Sequence, residues 1–353
     1  MNGEILNSIR AAGLGFGSRV LFGLPDPVLN RIFGDPPEVA AGLRPDAWAL
    51  CRIFDLIEGF TESDDPVAMR IETELLAHAV ADRSPLPVST DDLDLGPAGQ
   101  ALPARLYVPA GAPEDGPLLI WFHGGGWVVG SIVSHDFSCR RLAHNTGARV
   151  LSVEYRLGPE HPFPAAADDA LAAWDAVEAD PGRFGTSAGL VAVGGDSAGG
   201  NLAAVVCQDL RAAGREQPAF QVLVYPVTEI GCQSQSMSDY STGYYLTEKR
   251  MNWFDERYAP GAAGDEVRAS PLKAERFDGL ARAYINTCIA DPLRDEGESY
   301  ARKLMEAGVE TRLDRFPLVH AWFNQTLARS SRAAHDVMAG RIRQMFDQSP
   351  SAG

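Results

Sequence analysis

Short apolar runs bounded by glycine, proline and polar clusters recur from residue 88 onward, and they read as strands near 88–95, 104–108, 118–122, 149–155, 190–194, 220–225, 282–289 and 311–316. Between them the apolar positions switch to helical spacing. Strands that alternate with helices predict an α/β fold, with an eight-stranded, mostly parallel sheet flanked by helices on both faces. Residues 1–85 carry a helical pattern instead, clearest over 46–57 and 69–80 and broken by Pro25, Pro27, Pro36 and Pro37. Residues 228–274, rich in Ser, Gly, Tyr and Met with helical spacing only over 248–258, are too long for a simple loop and read as an insertion above the sheet. The expected organisation is an N-terminal segment 1–85, a first core part 86–227, the insertion 228–274 and a second core part 275–353. No internal repeat is visible.

Composition narrows the function classes. The chain of 353 residues is 45% hydrophobic and 22% charged, enough for a large core. Its 47 acidic against 31 basic residues give a net charge of -16, and no long basic run offers a surface to nucleic acid or an anionic membrane. Cys51, Cys139, Cys207, Cys232 and Cys288 are scattered and never spaced Cys-x-x-Cys, so neither a disulfide framework nor a metal site is expected, and the compartment reads as the cytoplasm. The first 20 residues, broken by Gly13, Gly15 and Gly17, match neither a secretory signal nor a membrane span.

The stretch Val191-Ala192-Val193-Gly194-Gly195-Asp196-Ser197-Ala198-Gly199-Gly200 runs from a strand into a helix that begins near Asn201. A Gly-x-Ser-x-Gly turn in that context is a nucleophile elbow: the serine takes a cramped backbone with positive φ, and a side chain on either flanking glycine would clash. A serine hydroxyl needs an imidazole to take its proton and a carboxylate to hold that imidazole. Only His320 and His335 follow Ser197. His320 comes after the last predicted strand, whereas His335 lies in a surface-helix pattern, so His320 is the expected base. Asp291 directly follows a strand and precedes Pro292, which makes it the expected acid. Asp295 is the fallback, and Glu296 reads with it as a solvated charge at a helix start. Upstream, His123-Gly124-Gly125-Gly126-Trp127 follows the strand 118–122, and bare glycine amides there can face an oxyanion together with the amide of Ala198.

His123 to Trp127, the run Glu154-Tyr155-Arg156-Leu157-Gly158-Pro159-Glu160, Gly195 to Gly200, and Asp291-Pro292-Leu293-Arg294-Asp295-Glu296-Gly297 together resemble the bacterial hormone-sensitive lipase family of esterases. The resemblance spans about residues 86–323 and implies an α/β-hydrolase fold with a helical cap formed by 1–85 and 228–274. It implies Ser197 as nucleophile, Asp291 as acid, His320 as base, Gly125, Gly126 and Ala198 as oxyanion donors, and His123, Gly124 and Asp196 as supports. Residues 155–160 would brace the loop behind the site. Trp127, Tyr244 and Trp322 are the expected substrate contacts, within a wider set of Tyr240, Tyr245, Leu246, Met251 and Trp253. His320-Ala321-Trp322 stands where the family usually has His-Gly-Phe, which predicts a modest shift of the histidine loop.

These readings converge on a serine esterase acting on short-chain carboxylic esters through an acyl-enzyme, with no cofactor and no metal. Its partner would be a small ester, and the family resemblance adds a homodimer. An amidase, lactonase or deacetylase could use the same machinery. A ligand-binding receptor on this scaffold is the reading of another class, and His320 argues against it.

Overall fold

A computed structural model describes residues 21–57, 63–96 and 101–349 of the chain. In chain order its elements are α1 (Asp26–Phe33), α2 (Pro45–Ile57), α3 (Pro66–Val80), β1 (Val88–Asp94), β2 (Pro103–Pro109), β3 (Leu118–Phe122), α4 (Ile132–Thr146), β4 (Arg149–Val153) and α5 (Ala165–Ala179). There follow β5 (Val191–Asp196), α6 (Ala198–Ala212), β6 (Gln221–Val224), α7 (Gln235–Asp239), α8 (Glu248–Tyr258), β7 (Ala283–Ala290), α9 (Arg294–Glu306), β8 (Thr311–Val319) and α10 (Arg329–Asp347). Each expected strand is present, with ends displaced by a few residues. The reading of residues 1–20 as lacking a leader lies outside the described residues.

The strands form one sheet in the order β1-β2-β4-β3-β5-β6-β7-β8. β2 runs antiparallel to β1 and to β4, and the remaining pairs are parallel. Central strands such as Leu118-Leu119-Ile120-Trp121-Phe122 are buried throughout, because helices cover both faces. Successive side chains divide between two cores. Leu118, Ile120 and Phe122 join apolar residues of α5, α6 and α9, and Leu119 and Trp121 join those of α2, α4 and α10. Burial of this kind stabilises by roughly 1.5–3 kcal/mol for each large apolar side chain.

The strand order carries the consequence for function. From β3 the chain crosses to β4 on one side, and β5 lies on the other, so the carboxyl ends of β3 and β5 face each other at a topological switch point. Crevices that hold ligands form at such points in open α/β sheets. Phe122 at the end of β3 is in register with Gly195 in β5, which brings the glycine loop after β3 against the serine turn after β5. The segment 228–274 contributes α8 as the periodicity predicts, and also the short α7 and two 3₁₀ turns that the sequence pattern does not reveal.

Candidate active site

Ser197 caps the amino end of α6 with φ +56° and ψ −119°. Such a backbone costs on the order of 1–3 kcal/mol and persists only where the surroundings impose it. Three main-chain hydrogen bonds do so. The Ser197 amide donates to the Val224 carbonyl at 2.9 Å, and its carbonyl accepts from the amides of Asn201 at 3.1 Å and Val227 at 3.3 Å. A Cβ on Gly199 would fall onto the carbonyl of Phe122, and one on Gly195 onto the backbone of Gly199. Both flanks are therefore glycine for the reason the motif suggests.

His320, the residue after β8, stands with Nε2 2.9 Å from Ser197 Oγ and Nδ1 2.9 Å from Asp291 Oδ2. Asp291 is fully buried, and its Oδ1 accepts the Leu293 amide at 2.9 Å. A carboxylate facing Nδ1 accepts its proton, which leaves the Nε2 lone pair toward the serine hydroxyl. Ala321 follows with φ +63°, the left-handed conformation that glycine adopts freely. The alanine takes the strained well itself, and His320 keeps both partners.

In the loop after β3 the Gly124 amide donates to Asp196 Oδ1 at 3.1 Å, while Gly125 and Gly126 have φ of +124° and +57°. A Cβ on Gly125 would meet the Val129 carbonyl, and one on Gly126 the ring of Phe254. Among the described residues the amides of Gly125, Gly126 and Ala198 have no protein acceptor; Gly125 and Gly126 line the cavity floor with Ser197, and Ala198 follows Ser197 at the start of α6. Behind the loop, the His123 ring stacks on Tyr155 with centroids 4.2 Å apart, and the Tyr155 hydroxyl donates to the His123 carbonyl at 2.7 Å. Burial, with His135 nearby, holds the His123 imidazole down at about 3, so it stays neutral. The run 155–160 braces this region as expected: Arg156 pairs with Asp169, and the Gly158 amide donates to the Trp127 carbonyl at 2.8 Å.

A cavity of about 260 Å³ opens above Ser197. Its floor is Gly124 to Trp127, Ser197 and His320, and its walls include Phe54, Met69, Leu76, Tyr245, Met251 and Phe254. Trp127, Tyr245, Leu246, Met251 and Trp253 reach this cavity, but Tyr240, Tyr244 and Trp322 do not. Tyr244 instead packs edge-on against Tyr240 at 5.0 Å and lies 6.1 Å from Trp48 in the core, while its neighbour Tyr245, at φ +73°, turns to the cavity. Trp322 is fully buried against Tyr225, Phe316 and His335. Its position one residue beyond the left-handed Ala321 directs it inward.

Two further expectations are corrected. His335 is buried, not on a surface, and its Nε2–H donates to the Phe323 carbonyl at 2.8 Å; burial lowers its imidazole to about 3. Glu296 is likewise buried, and desolvation raises its carboxyl to about 8, against the amides of Thr228 and Glu229 that its Oε1 accepts. Asp295 accepts the Ser236 amide and Arg294, not His320. Sequence reasoning missed His135 and Tyr225, which contact Asp196, and Asn324, which contacts His135; His135, Asn324 and Asp196 also line the cavity. No spacing links positions so far apart in the chain.

Residues 119–324 match the family model described as alpha/beta hydrolase fold. The chain is 44% identical over 283 residues to the carboxylic ester hydrolase LipN of Mycobacterium tuberculosis, covering 77% of this chain and 74% of that protein. It is 40% identical over 247 residues to the ethyl acetate hydrolase of Pseudomonas putida, covering 67% and 76%. Among solved structures it resembles an ester hydrolase from the metagenome of Lake Arreo, in complex with a derivative of bipyridine phosphonate, with a TM-score of 0.83 and 37% identity over 87% of this chain and all of that one. The chain belongs to the α/β-hydrolase fold family, among its hormone-sensitive-lipase-like carboxylic ester hydrolases.

Proposed function

We propose that this esterase hydrolyses short-chain carboxylic esters through attack of Ser197 on the acyl carbon. His320 takes the serine proton and gives it to the departing alcohol, and Asp291 holds the imidazole tautomer and balances the imidazolium charge. The carbonyl oxygen, charged in the tetrahedral intermediate, receives the amides of Gly125, Gly126 and Ala198. The acyl-enzyme is then cleaved by water activated by the same histidine. The observation that carries this reading is the relay from Asp291 Oδ2 through His320 to Ser197 Oγ, at 2.9 Å in each link, at the floor of the cavity. The cavity's modest volume supports short acyl chains.

Residues 1–85 and 228–274 are proposed as the cap over the core parts 86–227 and 275–353; the contribution of α2, α3 and α8 to the cavity walls supports this. Trp127 is the proposed substrate contact among those first expected. A homodimer is proposed from the family resemblance and from β8 lying at a sheet edge, and light scattering that gives only monomer removes it. No described helix is long and apolar enough to cross a membrane. A cytoplasmic location is proposed on the five unpaired cysteines, four of them buried.

Hydrolysis of a chromogenic butyrate ester by the purified chain, abolished in Ser197→Ala, is the expected result. Acyl esters of increasing length should lose turnover beyond short chains. A preference for long chains would overturn the substrate assignment, and turnover that survives Ser197→Ala would overturn the mechanism.

A further inference from the structure

Asp196, between Gly195 and Ser197 in the serine turn, touches the glycine loop directly and is linked to the histidine loop through Tyr225 and His135. Its Oδ1 accepts the Gly124 amide of the glycine loop at 3.1 Å. Its Oδ2 faces the Tyr225 hydroxyl at 3.5 Å, and that hydroxyl accepts the Phe323 amide of the histidine loop at 3.2 Å. His135, on α4, places Nε2 3.4 Å from the carboxylate and 2.7 Å from the side-chain amide of Asn324, also in the histidine loop. The carboxylate is buried, and a buried charge requires donors. Burial works against its ionised form, yet His135 and the Gly124 amide hold its pKa below the usual carboxylate value.

The tautomer of His135 follows from these neighbours. An unprotonated Nε2 would set a lone pair against the carboxylate and leave Oδ2 with the long Tyr225 contact as its other donor. A protonated Nε2 supplies what Oδ2 needs, while Nδ1 meets the Ser134 hydroxyl at 2.9 Å. The Asn324 amide then presents its oxygen to Nε2, by a half-turn that exchanges oxygen and nitrogen. Either orientation leaves one amide atom without a partner, so the Asp196 contact decides.

We propose that His135 is a positioning residue that carries a proton on Nε2 and, through Asp196 and Asn324, fixes the glycine loop relative to the histidine loop. Gly125 and Gly126 follow directly on Gly124, so a shift of the Gly124 amide moves both proposed oxyanion donors away from where charge develops. Such donors act in the transition state and not in ground-state binding, so their displacement lowers kcat and spares KM. The proposal rests on the assignment of Gly125 and Gly126 as oxyanion donors.

Nitrogen NMR of the ring-labelled protein, with the His135 signals identified by their loss in His135→Gln, reads the tautomer without reference to activity. The expected result is a protonated Nε2. His135→Phe should lower kcat about tenfold with KM little changed, as expected for a displaced, not deleted, oxyanion donor. His135→Gln, whose amide N–H can face Asp196, should recover most of that loss, and thermal melting separates these effects from misfolding. An unprotonated Nε2 overturns the proposal, as does a His135→Gln variant that melts like the parent and is as slow as His135→Phe. Failure of the serine mechanism would look different: Ser197→Ala would retain turnover while the NMR result stood.

Discussion

The floor and the roof of the cavity are built on different physical terms. On the floor, the proposed machinery is the chain itself: amides of Gly125 and Gly126, the adjoining amide of Ala198, the positive-φ Ser197, and side chains held at the ends of β5, β7 and β8. Glycines there leave no room for one added carbon. The roof is made of long side chains from α2, α3 and α8, including Phe54, Met69, Leu76, Met251 and Phe254. Backbone positions fix a geometry that substitution breaks, whereas side chains fill a volume that substitution reshapes. Chemistry should therefore reside in the floor, and the choice of ester in the roof.

The sharpest break of this contrast is Ser197→Ala, expected to lower kcat/KM roughly 10⁵-fold or more while the fold persists, checked by ester hydrolysis and circular dichroism. Next is Gly199→Ala, whose Cβ meets the backbone of Phe122 and His123; a loss above about 4 kcal/mol in urea unfolding, or no soluble protein, is expected. Normal stability for that variant would remove the argument that backbone contact fixes the floor.

The joint between the two regions gives a pH test. Glu296 holds the amides of Thr228 and Glu229, where the chain leaves the sheet for the insertion, with its carboxyl raised from 4.5 to about 8 by burial. A raised acid binds its proton more tightly folded than unfolded, so its contribution is full below about pH 4.5 and disappears as pH rises through about 8. Glu296→Gln should melt close to the parent at acid pH and several degrees above it at alkaline pH. A parallel shift at both ends would sink the assignment.

Smaller effects come from the roof and from strain. Phe254→Ala should shift the preferred acyl length by opening the space above Gly126, with rates on the shortest ester changing about threefold or less, as expected where a pocket wall and not a transition-state contact is lost. Ala321→Gly relieves a left-handed alanine and should stabilise by about 0.5–1 kcal/mol, read from urea midpoints.

Much of the floor was legible because its demands are local. Gly195 and Gly199 stand out in a Gly-x-Ser-x-Gly turn between a strand and a helix, although the backbone that Gly199 must clear belongs to the distant Phe122; Asp291 follows the plainly apolar β7, and His320 follows the more polar β8. His335 and Glu296 were misread because helical spacing fixes which face of α10 or α9 they share, but not whether a neighbouring element covers that face. Tyr244 and Tyr245 are adjacent aromatics of equal chemistry, and a positive φ at Tyr245 decides which of them meets the cavity.

The sequence by itself determined the strand order of events along the chain: a glycine loop after one strand, a serine turn after another, an acid and a histidine after the last two. Those features depend on residues close in sequence, through steric limits on φ and the period of apolar positions. Tertiary structure alone decided the network of His135, Asn324 and Tyr225 around Asp196, the burial of Glu296 and His335, and the walls of the cavity. These depend on contacts between residues tens to hundreds of positions apart, which packing brings together and no local pattern encodes.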